Sequence, residues 1–161
     1  MEKTSSVSIV MGSESDMPVM QGAIDQLKEF GAPFSVHILS AHRTPDELKA
    51  MVIDAPKKGV KVFIAAAGGA AHLAGVVASH TVLPVIGVPM QTQALGGLDS
   101  LLSMVQMPSG IPVGTMAIGQ AGAKNAAIYA VQILAVSDAK YAKVLHEFRQ
   151  KLAKKVLMSN K

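Results

Sequence analysis

Within Ser40-Ala41-His42-Arg43-Thr44-Pro45 a hydroxyl, an imidazole and a guanidinium fall within four positions of one another. An imidazole has an ordinary pKa of about 6.5, so it can give or take a proton near neutral pH. A guanidinium can grip a phosphate through two parallel N–H groups. A lone histidine is more often structural than catalytic, but one beside an arginine in a ligand-facing loop favours the catalytic reading, and His42 is the expected catalytic residue. A second segment, Gly12-Ser13-Glu14-Ser15-Asp16, leads from an apolar run into a helical one. Unpaired N–H groups at a helix start suit an anion, though the same residues serve equally well as a helix cap with no ligand. It lacks the Gly-Lys-Ser/Thr of a Walker loop and the Gly-x-Gly-x-x-Gly of dinucleotide folds, and no serine sits at the centre of a nucleophile elbow. A third segment, Gly68-Gly69-Ala70-Ala71-His72-Leu73, has side chains small enough for a flat ligand to reach the backbone, or for a tight turn to pack against a helix. His72 either caps the following helix or touches ligand. His37, His80 and His146 share no metal-ligand spacing, so no metal site is expected. Together the segments point to an enzyme acting on a small phosphate-bearing molecule.

For these segments to meet, the chain must bring them to one edge. Short β-rich runs alternate with segments of helical period, the pattern of βαβ units around a parallel sheet. Strands are expected over Val7 to Met11, Phe34 to Leu39, Val60 to Ala66, Val85 to Val88 and Val113 to Ile118. Helices are expected over about Asp16 to Phe30, Pro45 to Lys58, His72 to His80, Leu98 to Gln106 and Ala121 to Ser137. Thr44, Pro45 and Glu47 read as a capping box, and Gly31 and Gly59 as helix ends. Right-handed crossovers reduce the topology to a doubly wound, flavodoxin-like three-layer sandwich, an α/β fold with a five-stranded parallel sheet and a C-terminal helical tail over about 139–157. In such a sheet, ligands bind beyond the carboxyl ends of the strands, at Gly12 to Ser15, Ser40 to Arg43, Gly68 to Ala71 and Pro89 to Gly97. A single domain spanning 1–161 is expected, with no linker or repeat. The fifth helix is apolar or small around most of its circumference and must be covered, by a partner subunit on the favoured reading or by the C-terminal tail.

Composition narrows the function. No cysteine occurs among the 161 residues, which excludes disulfides and thiolate catalysis. No apolar run reaches the roughly 18 to 20 residues of a membrane span. Met1-Glu2-Lys3-Thr4-Ser5-Ser6 lacks a secretion signal, so a soluble, cytoplasmic protein with no membrane partner is expected. The formal charge of +4 is concentrated in residues 139–161, which hold seven of the 15 basic residues and one acid, Glu147. The remainder carries a net −2 and few aromatics, so the tail reads as a solvated basic helix face and no nucleic-acid partner is expected.

The motifs taken in order resemble a family. The three segments above, with Leu83-Pro84-Val85-Ile86-Gly87-Val88-Pro89, Gly97-Leu98-Asp99-Ser100-Leu101-Leu102-Ser103 and Gln106-Met107-Pro108-Ser109-Gly110-Ile111-Pro112-Val113, look like the catalytic subunit of phosphoribosylaminoimidazole carboxylase. More narrowly they resemble its bacterial N5-carboxyaminoimidazole ribonucleotide mutase class, over about residues 7–137. The family usually continues His-Leu-Pro-Gly where this chain has His72-Leu73-Ala74-Gly75, and Ser109 stands where relatives often have Gly or Arg. Losing the proline should loosen that helix start without removing a reacting group. The resemblance implies an isomerase of purine biosynthesis that moves a carboxylate from N5 to C4 of an aminoimidazole ribonucleotide, with no cofactor. It implies His42 as proton shuttle and Ser13, Ser40 and Arg43 on the 5′-phosphate of a ribonucleotide monophosphate. Asp16 would contact the ribose, and Gly68, Gly69, Ala70, His72 and Leu73 would frame the base. It also implies a homo-oligomer, an octamer. On fold alone, a flavin-binding electron carrier or a receiver domain would also be compatible. Scarce aromatics argue against the first, and strand ends without an acidic cluster argue against the second.

Overall fold

Strands with an apolar residue at nearly every position must be covered on both faces, and that requirement sets the architecture. The computed structural model describes residues 4–160; the first three residues of the segment read for a secretion signal, and Lys161 of the basic tail, lie outside them. The strands are β1 (Val7–Met11), β2 (Phe34–Ile38), β3 (Val62–Ala67), β4 (Val85–Pro89) and β5 (Gly114–Thr115), all parallel in the order β2-β1-β3-β4-β5. This is the flavodoxin-like order, whose direction reverses between β1 and β3. β1, β3 and β4 are buried throughout. Their alternating side chains feed two cores: Ile9, Ile64 and Ile86 point to one, Val10, Phe63 and Val85 to the other.

Helices fill both faces. The first core is closed by α1 (Met17–Glu29), α5 (Gln120–Ala135) and α6 (Ala139–Met158). The second is closed by α2 (Pro45–Asp54), α3 (Leu73–Ser79) and α4 (Leu98–Val105). Strand and helix boundaries mostly fall within a residue or two of expectation, and the larger differences have local causes. The second helix stops at Asp54 and tightens into a 3₁₀ turn over Ala55–Lys58. Pro56 explains this, having no N–H to donate and a ring that crowds the preceding turn. The capping box does not form: Thr44 Oγ1 instead accepts from Ser40 N at 2.8 Å and donates to Ser40 O at 3.1 Å. β5 keeps only two residues of the six expected, because beyond Thr115 the chain holds to β4 only through Met116 N to Gly87 O and Gly119 N to Pro89 O, each 2.9 Å. α1 and α6 bury Ala123, Ala126, Ala130 and Leu134 of α5 within the chain, while Tyr129 on the same helix stays 43% exposed, so the C-terminal tail supplies part of the cover and part of the helix is left open. The tail helix is tied down by Tyr141, Leu145 and an edge-on contact of Phe148 with Phe30, ring centres 5.1 Å apart.

Candidate active site

The carboxyl ends of β1, β2, β3 and β4 rise to one edge, and the loops leaving them enclose a cleft of about 440 Å³. It lies at the reversal between β1 and β3, where an open parallel sheet parts its loops. Of the ten expected site residues, nine line it: Ser13, Asp16, Ser40, His42, Arg43, Gly68, Ala70, His72 and Leu73. Gly69 does not. Its N–H donates away from the cleft to Ser100 Oγ at 2.9 Å.

Each loop is held by its own polar residues. After β1, Ser13 Oγ accepts from Ser15 N at 3.3 Å and from Ser15 Oγ at 2.9 Å, so the capping role is realised at a residue that also faces the cleft. After β2, Ser40 Oγ accepts from His42 N at 3.3 Å and Arg43 N at 3.2 Å, and the hydroxyl of Thr44 closes the turn behind them. This fixes the backbone of the two residues whose side chains carry the chemistry. Arg43 reaches across to β1 and donates from Nη2 to Gly12 O at 2.8 Å. It is the one guanidinium among the lining residues, and Asp16 is the one carboxylate. Partial burial lifts the Asp16 carboxyl above its usual 3.8, against a backbone hydrogen bond at Ser13 that pulls it down.

The closest side-chain pairing is between two histidines. His42 Nε2 lies 3.0 Å from His72 Nδ1, the rings edge-on with centres 5.1 Å apart. Only one hydrogen fits between those nitrogens, so whichever ring carries it faces a lone pair on the other. His72 stands at the N-cap position of α3 but makes no capping hydrogen bond with its side chain. His37, by contrast, is on β2 beside Ser35, where burial first and the charge of Lys58 second lower its pKa. Among the described residues, no group of three or more His, Asp or Glu is placed to hold a metal ion. Among the same residues, no helix is long and apolar enough to cross a membrane.

A family model described as AIR carboxylase matches residues 6–155. The chain belongs to the AIR carboxylase family. Relatives of this family member span nearly its whole length. The N5-carboxyaminoimidazole ribonucleotide mutase of Haemophilus influenzae is 52% identical over 157 residues, covering 98% of this chain and 96% of the relative. That of Pyrococcus horikoshii is 53% identical over 150 residues, covering 93% and 84%. Among solved structures, Treponema denticola PurE superposes with a TM-score of 0.86 at 28% identity, covering 96% of this chain and 95% of the other.

Two features of this AIR carboxylase family site escaped sequence reasoning. Met90 and Gln91 line the cleft; their loop, Pro89 to Gly97, is legible as functional surface, yet neither residue type singles itself out. The contact between His42 and His72 joins residues 30 positions apart across the end of β1, and no local spacing announces it.

Proposed function

We propose that this chain works in de novo purine biosynthesis as an isomerase, converting N5-carboxyaminoimidazole ribonucleotide to 4-carboxy-5-aminoimidazole ribonucleotide. The observation that carries the reading is His42 poised beside a corner of Ser13, Ser40 and Arg43 in one cleft, in a chain about half identical to full-length mutases. A 5′-phosphate with roughly −1.5 to −2 charge fits that corner, where Arg43 gives a charge-assisted grip and two hydroxyls donate. Asp16 accepts from ribose hydroxyls. Gly68 and Ala70 offer backbone close to a flat imidazole, with His72 and Leu73 beside it, while Gly69 shapes that wall from behind.

The chemistry then needs one proton carrier. As the N5 carbamate breaks down, its C–N bond releases carbon dioxide and the electron pair stays on N5, which takes a proton from His42. C4 attacks the carbon of the trapped gas, and its own proton passes to His42, which returns to its starting state. The steps balance in atoms and charge with no further reactant. A histidine suits both transfers because its ordinary pKa lies near neutral pH. The small-residue wall holds the gas beside C4, so a unimolecular recombination replaces a bimolecular encounter.

The closest competing activity is carboxylation of the aminoimidazole ribonucleotide by free carbon dioxide. Substrate labelled with ¹³C in its carboxylate, turned over in unlabelled bicarbonate, separates the two. Retention of the label in the product supports transfer within the site. A product that draws its carboxylate from the buffer refutes it. A phosphorylated substrate of this kind is made and used inside cells, which supports a cytoplasmic location. The family's octamer is carried over as part of the proposal, supported by Leu98, Leu102 and Val105, which α4 leaves about half exposed.

A further inference from the structure

Helix α4 has an inverted polarity. Its leucines at 98 and 102 face outward, about half exposed, while Ser100 between them is completely buried. A buried hydroxyl in a helix with apolar residues to spare calls for a partner, and it has one: Ser100 Oγ accepts the Gly69 N–H at 2.9 Å. Gly69 is left-handed, with φ of +70°. Its neighbour Gly68 lets the chain after β4 come close, since a Cβ there would lie 3.2 Å from Met90 Cβ, and 3.8 Å from Ser100 Oγ on α4. Next along the turn, the Gly69 carbonyl accepts from Ala71 N at 2.8 Å and from Ser103 Oγ at 3.3 Å. The Ala70 carbonyl then accepts from His72 N at 2.8 Å, and His72 Nδ1 meets His42 Nε2 at 3.0 Å. The start of α4 is itself pinned: Thr92 Oγ1 donates to Asp99 Oδ1 at 2.7 Å and accepts from Gly97 N at 3.1 Å. Gly97 packs so closely that a Cβ would lie 3.0 Å from Met90 O.

We infer that Ser100 is a positioning residue for the reaction: by holding the Gly69 amide it fixes the turn from Gly68 to His72, one wall of the cleft, and sets His72 against His42. Ser100 does not line the cleft, so it acts only through Gly69. The residues assigned to the phosphate sit on the loops after β1 and β2, apart from this turn. Removing the hydroxyl therefore weakens catalysis more than binding. The part of this inference that concerns rate rests on the proposed function; the part that concerns the turn does not.

Two readouts test it. The first is hydrogen–deuterium exchange resolved to the Gly69 amide, read without turnover. In the unmodified protein this amide is protected, and Ser100→Ala speeds its exchange about tenfold, the scale of one lost buried hydrogen bond. β4 is unchanged. The second is kinetic: Ser100→Ala lowers kcat about tenfold with KM moved less than threefold, and Ser100→Thr, which keeps the oxygen, recovers most of the loss. A serine that merely fills space would lower melting temperature without this local exchange or this split. A Gly69 amide that exchanges like an open loop in the unmodified protein overturns the inference, even if Ser100→Ala fails to fold. So does a Ser100→Ala protein with unaltered kcat. Unmodified protein that lacks turnover while Gly69 is protected refutes the proposed function and leaves the clamp standing.

Discussion

His42 and Arg43 are adjacent in the chain but are given different tasks, and substitution separates them. His42→Asn removes the proton carrier and leaves the phosphate corner intact, so substrate still binds, by calorimetry, while turnover is lost. Arg43→Ala removes a charge-assisted contact worth about 1.5 to 3 kcal/mol, raising KM by about tenfold to a hundredfold with a smaller effect on kcat. Full turnover by the His42 variant would remove it from the mechanism. Asp16 makes a prediction in pH. Its folded pKa is raised above 3.8 by burial, so the folded state holds its proton more tightly than the unfolded one. Such a group stabilises the fold at low pH, and that contribution is lost as pH rises through the folded value. Asp16→Asn should accordingly melt higher than the unmodified protein at pH 7, lose that advantage towards pH 4, and bind substrate less well. An advantage that grows on acidification contradicts the burial account. At this scale the sequence exposed most of the site, because Ser13, His42 and Arg43 carry recognisable chemistry at strand ends. For Gly69, composition shows that a backbone is accessible without showing which way its N–H points, and here the N–H goes to Ser100. The partnership of His72 with His42 depends on tertiary distance alone.

Elements were legible wherever one local rule acted unopposed. Continuous burial of β1, β3 and β4 follows from their apolar runs, and the helix ends at Gly31 and Gly59 follow from their left-handed conformation. Where two rules competed, tertiary contacts decided. Pro56 shortened α2, Thr44 left its expected cap to close the loop carrying His42 and Arg43, and β5 at the sheet edge kept only Gly114 and Thr115. The alanine at position 74 tests the helix start that frames the cleft. It is the second residue of α3, where a backbone N–H has no partner within the helix, and it is fully buried. Restoring the family's proline there restricts the unfolded chain, for a gain of about 0.4 to 1 kcal/mol and a rise in melting temperature of about 1 to 4 °C. A lower melting temperature would mean that the local packing has adapted to alanine.

At the scale of the molecule, the outward apolar surface is wider than the sequence placed it. Helix α5 is covered only in part by its own chain, leaving Tyr129 exposed, and Leu95, Leu98, Leu102 and Val105 are about half exposed or more at and just before α4. Apolar residues grouped and exposed in this way are what the proposed assembly would cover. On the proposed octamer, light scattering at micromolar concentration should give a mass near eight times the 16.7 kDa chain, and Leu98→Glu with Leu102→Glu should lower it. A monomer for the unmodified protein would contradict the assembly. The reaction itself is reached directly by one assay. Purified protein is mixed with N5-carboxyaminoimidazole ribonucleotide in bicarbonate-free buffer, without ATP, and the C4-carboxylated product is followed by ultraviolet absorbance. Rapid conversion is the predicted result; activity only on aminoimidazole ribonucleotide with added carbon dioxide, or none on either substrate, would contradict it.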